Sequence, residues 1–417
     1  MIQYDFDELI DRKGTECIKF DLLNERYGRE DLLALWVADM DFRTPDFIID
    51  ALKQRCEHPV FGYTYPSNDY YNSIINWVKE LYDWEIKREW LSYIPGIVKG
   101  IAFVIDHFTK TGDKIIIQPP VYHPFRLVPE HLKREVVNNP LELVKGCYQM
   151  DFDNLESVID EKCKILILSN PHNPGGIIWS KGTLQKLAHI CMKHNILVVS
   201  DEIHAEMVYP GYTHYPFPTV SEEAASCSIT FMAPSKTFNI AGIIASYSII
   251  PDDKIRKKFY SFMRAGEFEE GSIFSYIATS AAYNHGNEWR NQMIEYVMSN
   301  VSFVYKFLKE NIPHIKALIP KASFLVWLDC RKLGLSQKKL VDLFVNKARI
   351  ALNDGSIFGK EGEGFMRINV GCSRAYLEQA LNRLLEAVRG GKGRKGKGEK
   401  GVKGQKGERV KVRKGSY

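Results

Sequence analysis

The chain has 417 residues, of which 45% are hydrophobic and 12% aromatic, and a formal net charge of +5. That length and composition exclude a disordered chain and suggest roughly two to three domain-sized units, and no apolar run approaches the roughly 18–20 residues needed to span a bilayer. The positive charge is local: residues 390–417 hold eleven Lys or Arg against two Glu, +9 in all, so residues 1–389 carry −4.

The acidic start, Met1-Ile2-Gln3-Tyr4-Asp5-Phe6-Asp7-Glu8, lacks the basic opening and apolar centre of a signal peptide. Eight cysteines are scattered from Cys17 to Cys372 without a C-x-x-C pair, which favours reduced thiols and a cytoplasmic location. Residues 1–45 precede the alternating part of the chain and are expected to pack with a smaller C-terminal domain. Ser92-Tyr93-Ile94 reads as a strand, and Gly96 opens a helical pattern that continues through Ile101 to Phe108. Strands follow at Lys114–Ile117, ending at Pro119-Pro120, and at Lys164–Leu168, ending at Asn170-Pro171. Thr183 to His194 has apolar Leu184, Leu187, Ala188 and Cys191 at helical spacing. Ile196–Ser200 and Ile229–Ala233 are further strands. Such alternation implies crossover connections and an α/β fold: a large domain, residues 46–285, with a mostly parallel sheet flanked by helices.

After about Tyr283 the pattern changes. A long helix is predicted from Glu288 to Asn311, strands at Phe324–Leu328 and Phe365–Asn369, and helices at Lys338–Ala348 and Ala375–Val388. These define a smaller α+β domain, residues 286–389. The Gly/Lys-rich segment 390–417 has almost nothing apolar to bury and is expected to be disordered. It is the one segment with the charge to touch nucleic acid or anionic lipid; a solubilising extension is the plainer reading.

Two strings carry the chemistry. Asp201-Glu202-Ile203-His204 and Ser235-Lys236-Thr237-Phe238-Asn239 each follow an apolar run, at the carboxyl ends of strands where open α/β sheets bind ligands. The pair suits pyridoxal 5′-phosphate, which needs an amine to condense with its aldehyde and an acid beside its pyridine nitrogen. Lys236 is the candidate amine and also the base for a substrate Cα proton. Asp201 would favour the protonated pyridine; taken alone it would equally suit a helix N-cap. In Asn170-Pro171-His172-Asn173-Pro174-Gly175-Gly176, the Asn173 amide can donate to the ring's 3′ oxygen. Tyr122 follows a strand directly, where it can stack on a planar ring and donate a proton. Gly96-Ile97-Val98-Lys99-Gly100 puts free N–H groups at a helix start, a phosphate site to which the Ser235 hydroxyl can add. Arg367, in an apolar strand, calls for an anionic partner, and its planar fork suits a carboxylate.

Together these strings resemble the fold-type-I pyridoxal-phosphate enzymes, and specifically the MalY/PatB group of cystathionine β-lyases in the class I/II aminotransferase superfamily. The resemblance runs from about Asp5 to Arg389 and includes Val37-Ala38-Asp39-Met40-Asp41-Phe42, Val60-Phe61-Gly62-Tyr63 and Arg367-Ile368-Asn369-Val370-Gly371-Cys372. It implies a homodimer in which Tyr63 reaches the neighbour's cofactor phosphate, and a substrate carboxylate held by Arg367 and the backbone near Ala38. His204 joins the cofactor-binding set, standing where many aminotransferases carry Tyr. Ile244 stands where many carry Arg, so the phosphate charge must be met otherwise, and Ala233 replaces a common Ser.

The expected reaction is α,β-elimination from cystathionine or another S-substituted cysteine, giving thiol, pyruvate and ammonia. Aminotransfer between an amino acid and a 2-oxo acid uses the same residues and is the alternative. A regulatory protein that keeps the pocket for partner contacts is a third reading, against which the full set of catalytic residues argues.

Overall fold

The apolar, β-branched runs at the centre assemble into one sheet because burial on both faces suits strands with little polar surface. In the computed structural model, which describes residues 2–392, seven strands form it: β1 (Leu91–Ile94), β2 (Lys114–Ile117), β3 (Glu135–Asn138), β4 (Cys163–Ser169), β5 (Leu197–Asp201), β6 (Ser228–Met232) and β7 (Ser246–Ile249). Their order is β1-β7-β6-β5-β4-β2-β3. Strands β3, β2, β4, β5 and β6 pair parallel, and β7 runs antiparallel to both of its neighbours. The carboxyl ends of β1, β2, β4, β5 and β6 therefore share one rim with the amino end of β7.

Helix α1 (Ile97–Phe108) covers one face. Its Ile97, Ile101, Val104 and Ile105 are buried with Ile115, Ile117, Ile167 and Phe231 of the sheet, each such side chain contributing about 1.5–3 kcal/mol. Gly100 sets the closeness of that packing: a Cβ there would lie 2.8 Å from Ile94 Cγ2 and 3.0 Å from the Phe231 ring. The other face takes helix α2 (Lys181–Lys193) through Leu184, Leu187 and Cys191. It begins two residues before the sequence pattern does, with the Ser180 hydroxyl accepting from Thr183 N.

Helix α3 (Asn287–Asn311) leads into a second sheet of β8 (Lys316–Leu318), β9 (Leu325–Asp329), β10 (Asn353–Asp354) and β11 (Phe365–Asn369), ordered β8-β9-β11-β10 and antiparallel throughout. The helix predicted for 338–348 is α-helical only over Gln337–Asp342; Leu343–Lys347 widen into a π-turn, closed by Ala348 N donating to Leu343 O. From the amino-terminal side, Leu33–Ala34 pairs in parallel with Ile350–Ala351, and Leu23, Leu32, Ala34 and Trp36 bury against Val345 and Ala351. Helix α4 (Arg374–Lys392) runs three residues into the segment expected to be disordered; the rest of that basic tail lies outside the described residues. All eight cysteines are free thiols. No described helix is long and apolar enough to cross a membrane.

Candidate active site

The rim of the large sheet opens into a cavity of about 300 Å³. Nine predicted residues line it together: Ala38, Val98, Lys99, Tyr122, Asn173, Asp201, His204, Ser235 and Lys236. Arg367 is outside that lining and joins it through Asn173, its Nη1 donating to Asn173 Oδ1 at 2.9 Å. Tyr63 is elsewhere, fully exposed in an apolar stretch with Val60, Phe61 and Tyr65.

Asp201 ends β5 and Lys236 lies in the turn that follows the adjacent β6, and both line the same cavity. The lysine amine donates to Ala38 O at 2.7 Å. Burial lowers its proton affinity, while Asp39 and Asp201 pull it back up. The Asp201 carboxylate accepts from Ile203 N at 3.1 Å. Burial pushes its pKa up to about 7; that backbone bond and the Lys236 charge oppose the rise, and Glu202 adds to it. A carboxyl in that environment is short of a cation. Glu202 itself is satisfied, accepting from Ser200 Oγ (2.8 Å), Phe217 N (2.8 Å) and His214 Nε2 (2.7 Å).

A guanidinium only donates, so Asn173 Oδ1 takes the Arg367 bond and its Nδ2 remains to donate toward the cavity. Arg367 Nη2 donates to Asn353 Oδ1 (2.6 Å) and Trp36 O (3.3 Å), and its Nε is buried without a partner. These acceptors are all neutral. Burial accordingly lowers the Arg367 pKa to about 10. The structural salt bridge that would explain a buried arginine is not among its contacts. His204 Nδ1 is also buried and unpartnered, and burial with the nearby Lys236 and Arg367 charges drops its pKa to about 3. It faces the cavity as a neutral ring. Burial raises the Tyr122 phenol above its ordinary value.

Gly96, at φ +102°, turns the chain from β1 into α1, so the first-turn N–H groups of Ile97, Val98 and Lys99 have no intrahelical partner. Ile244 stands opposite, its Cγ2 3.8 Å from where a Gly96 Cβ would be. It is left-handed at φ +58°, a strained state for a β-branched residue. Tyr93 Oη and Ser275 Oγ hold it there through the carbonyls of Ile244 (2.9 Å) and Ile243 (2.9 Å). We predict that Ile244→Gly changes unfolding free energy by less than about 1 kcal/mol, because relief of strain offsets the lost side chain; a urea titration checks this, and a loss of several kcal/mol would contradict it.

Sequence reasoning missed the scaffold of the 37–42 loop. Asn239 Oδ1 accepts from Met40 N (3.1 Å) and its Nδ2 donates to Phe42 O (2.8 Å). Asn369 Nδ2 donates to Val37 O (2.7 Å) and Asp39 O (2.6 Å). The only signal was position: both asparagines sit within the strings that carry Lys236 and Arg367.

The donor set fits pyridoxal phosphate. It offers an amine whose proton affinity burial lowers, a carboxyl lacking a cation, an amide donor beside an aromatic ring, and a helix start beside a serine for an anion. The fold and this arrangement define a fold-type-I pyridoxal-phosphate enzyme. The family model described as aminotransferase class I and II matches residues 30–384. Cystathionine β-lyase PatB of Bacillus subtilis is 40% identical over 92% of this chain and 99% of its own length. Protein MalY of Escherichia coli is 32% identical over 93% and 99%. The crystal structure of cystalysin from Treponema denticola, which contains pyridoxal 5′-phosphate, superposes with a TM-score of 0.90 at 34% identity, covering 93% of this chain and all of that one. The chain belongs to the class I and II aminotransferase family, in the group of PatB and MalY.

Without cofactor, the raised Asp201 pKa has a consequence for stability. The folded state holds this proton up to about pH 7, whereas an unfolded Asp loses it near its ordinary value of 3.8. The Asp201 contribution to the stability of the cofactor-free protein is therefore fully present below about pH 4 and is lost as pH rises to about 7. The slope is at most about 1.4 kcal/mol per pH unit. Glu206, which burial also raises to about 7, adds in the same direction. Thermal melts of cofactor-free wild type and Asp201→Asn from pH 5 to 8 should differ in that slope, the variant being flatter.

Proposed function

We propose that this protein is a pyridoxal-phosphate-dependent carbon–sulfur β-lyase that cleaves cystathionine or a related S-substituted cysteine to thiol, pyruvate and ammonia. When bound, pyridoxal phosphate supplies the aldehyde carbon to which Lys236 and then the substrate amine attach, and a ring that absorbs the electron pair left at Cα. Asp201 would hold the ring nitrogen in its protonated form, and Asn173 Nδ2 would donate to the 3′ oxygen. Tyr122 and the neutral His204, which line the same cavity, would enclose the ring. The N–H groups of Val98 and Lys99, the Lys99 charge and the Ser235 hydroxyl would take the phosphate, which Ile244 could not neutralise.

Arg367 takes the substrate carboxylate, with the backbone at Ala38 on its other side. This fixes Cα so that Lys236 Nζ can remove its proton. The amine is suited to that task because burial lowers its proton affinity. Loss of the Cα proton then drives out the β-thiolate, which is protonated by Tyr122 Oη or by the Lys236 ammonium, and water hydrolyses the released 2-aminoacrylate to pyruvate and ammonia. The observation that carries this reading is Arg367: a buried cation whose side-chain and backbone partners are all neutral, next to a buried amine, has the requirements of an amino-acid carboxylate.

The enzyme works as a homodimer with shared sites in the cytoplasm. Tyr63, exposed with Val60 and Phe61, reaches the phosphate of the neighbouring subunit. The test is a product assay on cystathionine with purified protein. Stoichiometric pyruvate and free thiol support the lyase; 2-oxo acid formation that requires an added amino acceptor would establish aminotransfer instead.

A further inference from the structure

Four charged side chains at the amino-terminal end have no part in the chemistry above, yet they hold the loop whose Ala38 carbonyl accepts from the lysine. Arg12 Nη2 pairs with Asp39 Oδ2 at 2.7 Å, and its Nη1 pairs with Asp41 Oδ1 at 2.6 Å and donates to Met40 O at 3.1 Å. Lys19, whose side chain is wholly buried, pairs with Asp41 Oδ2 at 2.7 Å and donates to Asp39 O at 3.3 Å. Between them these two cations grip the stretch that follows Ala38, and the Ala38 carbonyl is the acceptor of the Lys236 amine. Asn239 and Asn369 hold the same loop from the lysine and arginine sides.

A buried ammonium in a globular protein is costly unless paired, and Lys19 lies far in sequence from any predicted site residue except Ala38. A purely structural clamp would not need two cations on a loop whose backbone two asparagines already fix. We propose that Arg12 and Lys19 are positioning residues of the active site: by pairing with Asp39 and Asp41 they fix the Ala38 carbonyl and balance the charge beside the Lys236 amine. The proposal rests on the reading of Lys236 as the amine that attaches the cofactor.

Its direction follows from the charges. Lys236 is influenced by Asp39 from this loop, Asp201 from the end of β5, and Arg367 from β11; it in turn bears on the neutral ring of His204. Asp39 is the strongest attraction on the amine, ahead of Asp201. With Arg12 and Lys19 in place, the two aspartates of the cluster are neutralised. Removing Arg12 leaves one net negative charge, which favours the ammonium form of Lys236. Removing the Asp39 charge leaves one net positive charge, which disfavours it.

The experiment strips the full-length protein of cofactor, adds pyridoxal phosphate, and follows the rate of the visible absorbance of lysine attachment against pH. Only the neutral amine attaches, so the midpoint reports its protonation. The midpoint should rise by about half a pH unit in Arg12→Ala and fall by about half a unit in Asp39→Asn, with Arg12→Lys returning close to wild type. Asp201 is present in every variant, so its own titration cancels in the comparison. Opposite shifts are what a loop that is merely loosened would not give. Midpoints that stay put, or move the same way in both variants, overturn the proposal. Lys236→Ala is the control: if it still develops the attachment band, the proposed function fails and not the role of the cluster alone.

Discussion

The Lys236→Ala variant should release pyruvate from cystathionine at least about 10²–10⁴-fold more slowly than wild type, the range a positioned general base contributes. The loss should be chemical and not structural. The lysine amine makes one hydrogen bond, to Ala38 O, and burial disfavours its charge, so truncation removes a poorly solvated ammonium together with its stem. The variant should therefore unfold within about 1 kcal/mol of wild type. Small primary amines added to the variant should restore part of the rate, because truncation of the lysine stem frees space for them in the cavity it lines. Steady-state pyruvate release with and without added amine, together with a thermal melt, separates these outcomes. Wild-type turnover by the variant without added amine would refute the assignment of Lys236 as the base.

Much of the large sheet was legible because burial on both faces leaves little freedom in sequence: Cys163–Ser169, Leu197–Asp201 and Ser228–Met232 are almost uninterrupted apolar or small residues. β7 was not, since Ser246-Tyr247-Ser248-Ile249 alternates like a half-exposed strand while all four residues are buried. Its hydroxyls are accommodated by neighbours, Ser248 Oγ lying 3.1 Å from Tyr260 Oη and Tyr247 Oη 3.1 Å from Tyr283 Oη, and no local pattern announces partners that distant. β3 escaped because Glu135–Asn138 is a short edge strand with polar ends. The site was readable where chemistry fixes residue type, as at Lys236 and Asp201, and unreadable where it fixes only a loop. Arg12 and Lys19 look like ordinary surface charges until the fold brings Asp39 and Asp41 to them, and the Arg367 partners are two asparagine oxygens and a carbonyl that sequence distance conceals.

Replacing Arg367 by Lys should lower kcat/KM for cystathionine by about 10- to 200-fold, corresponding to the roughly 1.5–3 kcal/mol of a hydrogen bond to a charged group. Lysine keeps the charge but not the fork. It cannot donate to Asn173, Asn353 and Trp36 together and still present hydrogens to a carboxylate. Two effects could produce such a loss: a missing contact to the substrate carboxylate, or a displaced Asn173 that no longer orients the cofactor ring. A thioether amine identical to the substrate but lacking the α-carboxyl group separates them. Wild type should process it poorly, and Arg367→Lys should process it no worse than wild type, because the contact that the substitution destroys is already absent. If the variant loses its full factor on the decarboxylated compound as well, Arg367 acts through Asn173, and the substrate carboxylate must be held by other groups.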